Sequence, residues 1–235
     1  QTMDTVARGW INGFIGVVIF AGSLPATRAA VIDFDPIFLT CARASLAALL
    51  GLVLLLVLGQ RRPQPSEMPA LALVALGVVV GFPLLTALAL QHISSAHSIV
   101  FIGLLPLCTS LFGVLRAGER PRPTFWLFSI LGSAFVVGYA VMSGIEASLR
   151  GDMLMLAAIV VCGLGYAEGA RLSRQLGGWQ VISWALVLSL PIMLPAALLT
   201  LPTSFDHVGA AAWSGLIYVS LFSMLIGFVF WYRGL

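Results

Sequence analysis

Eight long apolar runs follow one another along this chain, and they constrain its fold more strongly than any other feature of the sequence. A helix needs roughly 20 apolar residues to cross the ~30 Å hydrocarbon core of a bilayer, and each run reaches that length. The predicted spans are Gly9–Val31, Pro36–Gly59, Pro69–Leu90, Ala96–Ala117, Pro123–Gly144, Asp152–Leu172, Trp179–Leu201 and Ala210–Tyr232. Because lipid offers no hydrogen-bond partner to exposed backbone groups, the sequence predicts an all-α integral membrane protein.

The composition leaves no room for a separate soluble domain. Only 9% of the residues are charged, whereas soluble domains carry about 25%. All 12 basic residues are arginine, and a phosphate-binding loop of the GxxxxGK[ST] type needs a lysine, so ATP hydrolysis by this chain is excluded. The net charge of +3 is small and dispersed, which argues against a nucleic-acid partner. The three cysteines form no CxxC motif, so neither a metal site nor a cofactor is predicted.

The arginines predict the orientation of the chain in the membrane. With the N-terminus in the cytoplasm, the outer side holds only Arg28 and Arg150, and Arg43 lies within a span. The cytoplasmic side then holds all the others, which are Arg8, Arg61, Arg62, Arg116, Arg120, Arg122, Arg171, Arg174 and Arg233. Cytoplasmic loops of membrane proteins are enriched in basic residues, so a cytoplasmic N-terminus is predicted.

The chain shows a weak internal repeat. Residues Gly22 to Phe38 align with Gly165 to Val181 at a constant offset, which places Arg28 on Arg171. An odd number of helices, five, separates the two starts, so the second copy is inverted in the membrane, as in many transporters.

This alignment predicts two repeats, with five helices in residues 1–144 and three helices in residues 145–235. Two more helices would complete the second repeat and give ten spans. The chain is therefore expected to be a shortened version of a longer protein. The alternative is an eight-span protein whose halves are unrelated.

Several short segments, in order along the chain, form a recognisable pattern. Phe38 is followed by Arg43 in the second span, and residues 94–96, Pro106 and residues 118–121 mark the fourth. Other segments of the pattern are Phe125-Trp126 with Gly132 and Gly138, Gly151-Asp152 with Tyr166, and residues 230–235. Together these segments resemble the EamA family of the drug/metabolite transporter superfamily, the first two matching the patterns of its second and fourth helices.

The resemblance implies ten helices in two inverted five-helix repeats, with a cavity lined mainly by helices 1, 3, 4, 6, 8 and 9. It also implies alternating-access transport of amino acids or related small metabolites, usually export across a bacterial inner membrane. The second Pro…Gly-Glu segment of the family pattern is absent from this sequence. An intramembrane enzyme and a non-transporting membrane scaffold stay open as alternatives. The oligomeric state is not indicated.

Arg43 is the first candidate for substrate binding. It follows Pro36 by seven residues, which places it roughly 10 Å into the membrane at 1.5 Å per residue. A charge at that depth is costly, so intramembrane ionisable groups are candidate functional sites. Arg43 could bind a substrate carboxylate or fix an outer gate. The alternative is a structural role, in which it pairs with backbone carbonyls and holds helix 2 in place.

Glu168 is the candidate for proton coupling, because no other acidic residue lies deep in a predicted span. Its alternative role is an ion pair with Arg171, since residues at i and i+3 are neighbours on a helix.

Aromatic residues complete the candidate substrate site, since ligand pockets are mostly apolar. The alternative for each is packing or contact with lipid. The candidates are Phe20, Phe82, Phe101, Tyr166 and Trp184.

Overall fold

A computed structural model describes residues 2–142 and 148–234, and within these ranges the regular structure is helical, with no strand. The first four helices are α1 (Thr2–Ala21, continued by Ser23–Ala30), α2 (Pro36–Val57), α3 (Met68–Ala89) and α4 (Ser95–Ile102, continued by Leu105–Ala117). The others are α5 (Pro123–Met142), α6 (Leu149–Leu176), α7 (Gly178–Leu199) and α8 (Ala210–Gly234).

Seven of these helices are long and apolar enough to cross a membrane. Their ends agree with the predicted spans to within about one helical turn, except that α1 begins at Thr2, seven residues before its predicted span. The fifth predicted span, Pro123–Gly144, corresponds to α5, whose described apolar part is shorter, at Pro123–Tyr139. The last two residues of that span lie outside the described residues. The prediction of an all-α integral membrane protein is confirmed.

The outer surface of the bundle is suited to lipid. Large apolar side chains are exposed there on helices from both halves of the chain, including Trp10 at 78%, Leu115 at 76% and Ile192 at 69%. A soluble protein rarely exposes apolar surface on this scale, so the surface indicates a lipid environment.

Four of the helices depart from regular α geometry inside the membrane. α1 is interrupted at Gly22, and α4 is interrupted at residues 103 and 104, two residues before Pro106. α3 contains a π-helical segment at Ala75–Gly81, and α8 contains one at Val219–Ile226. Segments of this kind are frequent at functional sites.

The helices pack in pairs that cross between the two halves of the chain. α2 packs along α7, α1 along α8, and α3 along α6. α4 also packs along α6 and runs parallel to it, since His97 meets Asp152 near the starts of the two helices and Arg116 meets Glu168 toward their ends. The largest apolar core lies between α2, α3 and α7, with residues of α6 and α8 completing it. These contacts place α1, α3, α4, α6 and α8 around a central space.

Gly77 sets the distance between α3 and α6. A Cβ atom built at Gly77 would lie 2.4 Å from the carbonyl oxygen of Val161 and 3.1 Å from the Cα of Gly165. Any side chain there would collide with backbone, so the two helices meet through glycines, as is common inside membranes.

Candidate functional site

A cavity of about 620 Å³ occupies the space between α1, α3, α4, α6 and α8. Among the described helices, these are the ones that the family resemblance implies as the lining of the cavity. α2 and α5 each contribute one side chain to the wall, Arg43 and Phe125. The volume lies within the range of small-molecule sites, and the wall is mostly apolar with few polar groups, as such sites usually are.

Four of the candidate binding residues line this cavity, and two do not. Arg43, Phe20, Phe82 and Tyr166 are part of the wall.

The other two candidates pack elsewhere in the bundle. Phe101 packs beside a small core of Ala89, Ile93 and Met155, with its ring centroid 5.9 Å from that of His97. Trp184 packs on the core between α2 and α7. These positions favour packing roles for Phe101 and Trp184.

Arg43 lies in the cavity wall beside two serine hydroxyl groups, one from each of two other helices. Its side chain is 5% exposed, and its Nη2 donates to the Oγ of Ser223 at 3.3 Å. The Oγ of Ser23 donates to the same oxygen at 2.8 Å. We call Arg43, Ser23 and Ser223 the polar site; it joins α2, α1 and α8.

The guanidinium of Arg43 has no counter-charge in the described wall. The cavity-lining residues include no aspartate or glutamate, and the Nε atom is buried without a hydrogen-bond partner. A buried charge is costly unless it is paired and hydrogen-bonded. The geometry therefore leaves this cation available to an anionic ligand group.

The start of α2 fixes where Arg43 lies. The side chain of Asp35 accepts hydrogen bonds from the backbone nitrogens of Ile37 at 2.8 Å and Phe38 at 3.2 Å. This N-cap satisfies backbone donors that a helix end leaves free, and Pro36 at the first position lacks a donor. Arg43 then follows two turns into the span.

Four aromatic rings form a second group in the wall, which we call the aromatic cluster: Phe20, Tyr166, Phe228 and Trp231. The ring centroids are 4.9 Å apart for Phe20 and Phe228, and 6.2 Å apart for Phe20 and Trp231. Those of Tyr166 lie 6.0 Å from Phe228 and 6.4 Å from Trp231. Each ring thus contacts two others, mostly edge to face, which is the favourable geometry.

Sequence reasoning missed the serines and threonines of the wall. Ser23, Ser223 and Thr109 line the cavity, and the Oγ1 of Thr109 is buried without a partner. Hydroxyl groups are common in membrane helices and usually bond to the backbone of their own helix. Only the contact with Arg43 distinguishes Ser223, and a single sequence carries no signal for it.

Glu168 lies outside the cavity wall and is fully buried. Its Oε2 accepts from Nη2 of Arg171 at 2.7 Å, and its Oε1 accepts from Nε of Arg116 at 2.6 Å. The i,i+3 spacing predicts the pair with Arg171 but not the contact with Arg116 on α4. Two guanidinium groups hydrogen-bond to the same buried carboxylate, which favours a structural anchor between α4 and α6.

The described residues contain no group of three or more histidine, cysteine, aspartate or glutamate side chains placed to hold a metal ion. The cavity with its single cation is therefore the candidate site.

The family model for EamA-like transporters matches residues 7–141 and, a second time, residues 149–235. The chain belongs to the EamA-like transporter family. This family has a repeat-based membrane fold, and the boundary between the two matches lies at residues 142–148.

Named relatives of this EamA-like chain are transporters. The "uncharacterized transporter YdeK" of Bacillus subtilis (strain 168) is 65% identical over 233 residues, which cover 99% of this chain and 81% of YdeK. A "probable terminal-alkyne amino-acid exporter" of Streptantibioticus cattleyicolor is 26% identical over 219 residues, or 92% of this chain and 72% of that protein. A crystal structure with 19% sequence identity superposes with a TM-score of 0.69 over 97% of this chain and 79% of the other, which shows the fold.

Family membership identifies the EamA-like chain as a multi-pass membrane transporter for a small molecule. The cavity described above is the candidate site for such a molecule.

Proposed function

We propose that this protein is a secondary transporter that exports amino acids or related small carboxylates across a bacterial inner membrane by alternating access. The observation that carries the proposal is Arg43, a buried cation in the cavity wall whose Nε has no partner. A guanidinium edge matches the two oxygens of a carboxylate, and such charge-assisted pairs are the strong ones. The name of the 26%-identical relative, an amino-acid exporter, is consistent with this substrate class.

The orientation is proposed with the N-terminus in the cytoplasm. Under that orientation the loops around Arg61 and Arg120 face the cytoplasm, and the loop at Ile32 faces outward.

The helix contacts support alternating access between two inverted repeats, residues 1–144 and 145–235. In two repeats of five helices, α1 corresponds to α6, α2 to α7 and α3 to α8. Under this correspondence the α1–α8 contact becomes the α6–α3 contact, and the α2–α7 contact becomes itself. The two π segments, Ala75–Gly81 and Val219–Ile226, lie in the counterpart helices α3 and α8. Both contribute residues to the wall, which are Val78 from the first and Ser223 and Met224 from the second. Such a symmetry provides two similar packing arrangements between which a transporter rocks.

The test is solute flux in vesicles reconstituted with the full chain. Vesicles that contain the protein and are loaded with labelled amino acids or related carboxylates are compared with protein-free vesicles loaded in the same way. We expect faster release of solutes that carry a carboxylate from the vesicles that contain the protein. The Arg43→Gln variant is expected to lose most of this flux. Arg120→Gln, a change of the same kind at an exposed loop position, serves as the matched control.

Flux of an amine that lacks a carboxylate, at a rate unaffected by Arg43→Gln, would contradict the proposal. Equal rates of solute release from vesicles with and without the protein would favour the enzyme or scaffold alternatives.

A further inference from the structure

We infer that the cavity selects a monocarboxylate that carries an apolar, ring-sized tail, and that it does not recognise the ammonium group of a free amino acid. This inference rests on the proposed function and narrows its substrate class. It is carried by the charge of the wall, by the hydrogen-bonding direction of the polar site and by the position of the aromatic cluster.

The charged groups of the wall favour an anion. Arg43 is the one charged side chain among the described cavity-lining residues, and none of these residues is acidic. A zwitterion would place an ammonium against described wall residues that offer no carboxylate to pair with it. Burial of an unpaired charge is strongly unfavourable. A ligand with one negative charge instead neutralises the single cation.

The polar site offers donors. The Arg43 side chain lines the cavity, and its Nε is buried without a partner, so the protein does not satisfy all donors of the guanidinium. The Oγ of Ser223 accepts hydrogen bonds from both Arg43 and Ser23. Because a hydroxyl also carries one hydrogen, Ser223 keeps its own hydrogen for a ligand oxygen. An arrangement of donors around a cation binds a carboxylate and repels an ammonium.

The aromatic cluster lies next to the polar site, on one side of it. Phe20 precedes Ser23 by three residues on α1, about 4.5 Å along the axis. Phe228 follows Ser223 by five residues on α8, about 7.5 Å along the axis. α1 and α8 are antiparallel, since Gly9 packs against Gly234, so both displacements point to the same end of the bundle.

A ligand whose ring lies roughly 5–8 Å from its carboxylate therefore fits both groups at once. A spacer of two or three carbons between ring and carboxylate provides that separation. The rings of the cluster contact one another mostly edge to face, which extends an apolar surface to the ligand.

The experiment measures equilibrium binding of labelled probes to the purified full chain in detergent by dialysis. Three probes share one ring and differ in charge: 3-phenylpropanoate has only the carboxylate, L-phenylalanine has both groups, and 2-phenylethylamine has only the ammonium. We expect 3-phenylpropanoate to bind about tenfold more tightly than L-phenylalanine, and the amine not to bind.

Variants connect the result to the site. Arg43→Gln is expected to weaken binding of 3-phenylpropanoate by at least about tenfold, since it removes the charge-assisted pair. Arg43→Lys keeps the charge but not the planar fork, so an intermediate loss is expected. Arg120→Gln, at an exposed position, leaves binding unchanged. Size-exclusion profiles show whether each variant is folded.

A second comparison tests the tail. Phe228→Leu is expected to weaken binding of 3-phenylpropanoate several-fold, and to leave the weaker binding of propanoate, which has no ring, unchanged.

The outcomes separate this inference from the proposed function. Tighter binding of L-phenylalanine than of 3-phenylpropanoate overturns the inference, while Arg43-dependent amino-acid flux in vesicles leaves the proposed function in place. Tighter binding of 2-phenylethylamine than of 3-phenylpropanoate also overturns the inference, since it would indicate that the aromatic rings bind the ammonium. Binding of none of the probes overturns the inference as well, and the flux experiment then decides the proposed function separately.

Discussion

The Nε of Arg116 lies 2.6 Å from Oε1 of Glu168, so that a fully buried carboxylate on α6 is tied to the last turns of α4. Arg171 reaches the other oxygen of the same carboxylate at 2.7 Å. Both arginines are about half exposed, at 48% and 47%, so their charged ends extend from the protein interior toward water. Glu168 is thus the buried centre of a two-arginine network.

Replacing Glu168 by glutamine is expected to destabilise the protein by about 2 kcal/mol, a value reduced from that of a fully buried pair because both arginines are partly solvated. The amide keeps the shape of the side chain but cannot neutralise two guanidinium groups. The measurement is the thermal unfolding midpoint in detergent. Glu119→Gln is the matched control, because Glu119 also pairs with an arginine of α6, Arg174, at 3.2 Å but is 42% exposed.

The same variant tests Glu168 as the proton-coupling residue, a role that stays a prediction. An anchor and a proton carrier differ in the pH dependence of transport. An unchanged pH profile in Glu168→Gln, with only a lower midpoint, favours the anchor. A profile that becomes flat in the variant would favour the proton carrier.

The helical type of the spans, and seven of the eight as membrane-crossing helices, could be predicted from the sequence, because apolar length indicates whether a segment can cross a bilayer. Arg43 could be singled out because a charge deep in a span is costly, and its depth follows from its distance along the helix from Pro36.

The contacts between helices could not be predicted in the same way. Glu168 and Arg171 lie on one helix, so their pair was visible, whereas Arg116 lies 52 residues earlier and meets Glu168 only because α4 packs on α6. Phe101 and Phe82 are both aromatic residues inside apolar runs, yet only Phe82 lines the cavity. The faces of such helices cannot be told apart when nearly every residue is apolar.

Gly77→Ala is expected to destabilise the protein by about 1–3 kcal/mol, since overpacking of a close contact forces the backbone to shift. The added Cβ would lie 2.4 Å from a backbone oxygen of α6, which cannot rotate away. Gly132→Ala is the control, because a Cβ there meets nothing within 4 Å. Thermal unfolding of both variants is measured together. Equal midpoints would show that α3 and α6 are not packed through Gly77.

The loop between α2 and α3 is expected to make stability depend on pH. Hydrogen bonds from Arg61 and from the backbone nitrogen of Gln64 lower the pKa of Glu67 below its ordinary value of 4.5. A carboxyl group whose pKa is lowered by folding stabilises the protein above its unfolded pKa, and this contribution is lost as the pH falls through the folded pKa.

The difference in unfolding midpoint between the wild type and Glu67→Gln is therefore expected to be full at pH 7 and to shrink below about pH 4.5. Asp206→Asn is the control, since Asp206 is an exposed carboxylate that accepts only from Ser204. A difference that grows as the pH falls would contradict the assignment.

Accessibility labelling tests the proposed orientation. Cysteines introduced at Arg62 and Arg120 are expected to react with a membrane-impermeant maleimide only after cells are opened. A cysteine at Ile32, which is 71% exposed in the loop before α2, is expected to react in intact cells. The unmodified chain gives the background from its native cysteines, of which Cys41 and Cys162 are buried. Labelling of Arg62→Cys and Arg120→Cys on opposite sides would contradict the topology itself.

Ser223→Ala tests whether the polar site acts as a unit. The change removes the acceptor of Arg43 Nη2 and of Ser23, together with the hydroxyl hydrogen that we assign to the ligand. A net loss of about 1 kcal/mol per hydrogen bond corresponds to roughly fivefold weaker binding of a carboxylate probe. Ser220→Ala is the matched control in the same π segment, because Ser220 donates to the carbonyl of Leu216 at 2.6 Å and does not line the cavity. If Ser223→Ala and Ser220→Ala bind the carboxylate probe with equal affinity while Arg43→Gln binds it more weakly, the guanidinium alone recognises the carboxylate.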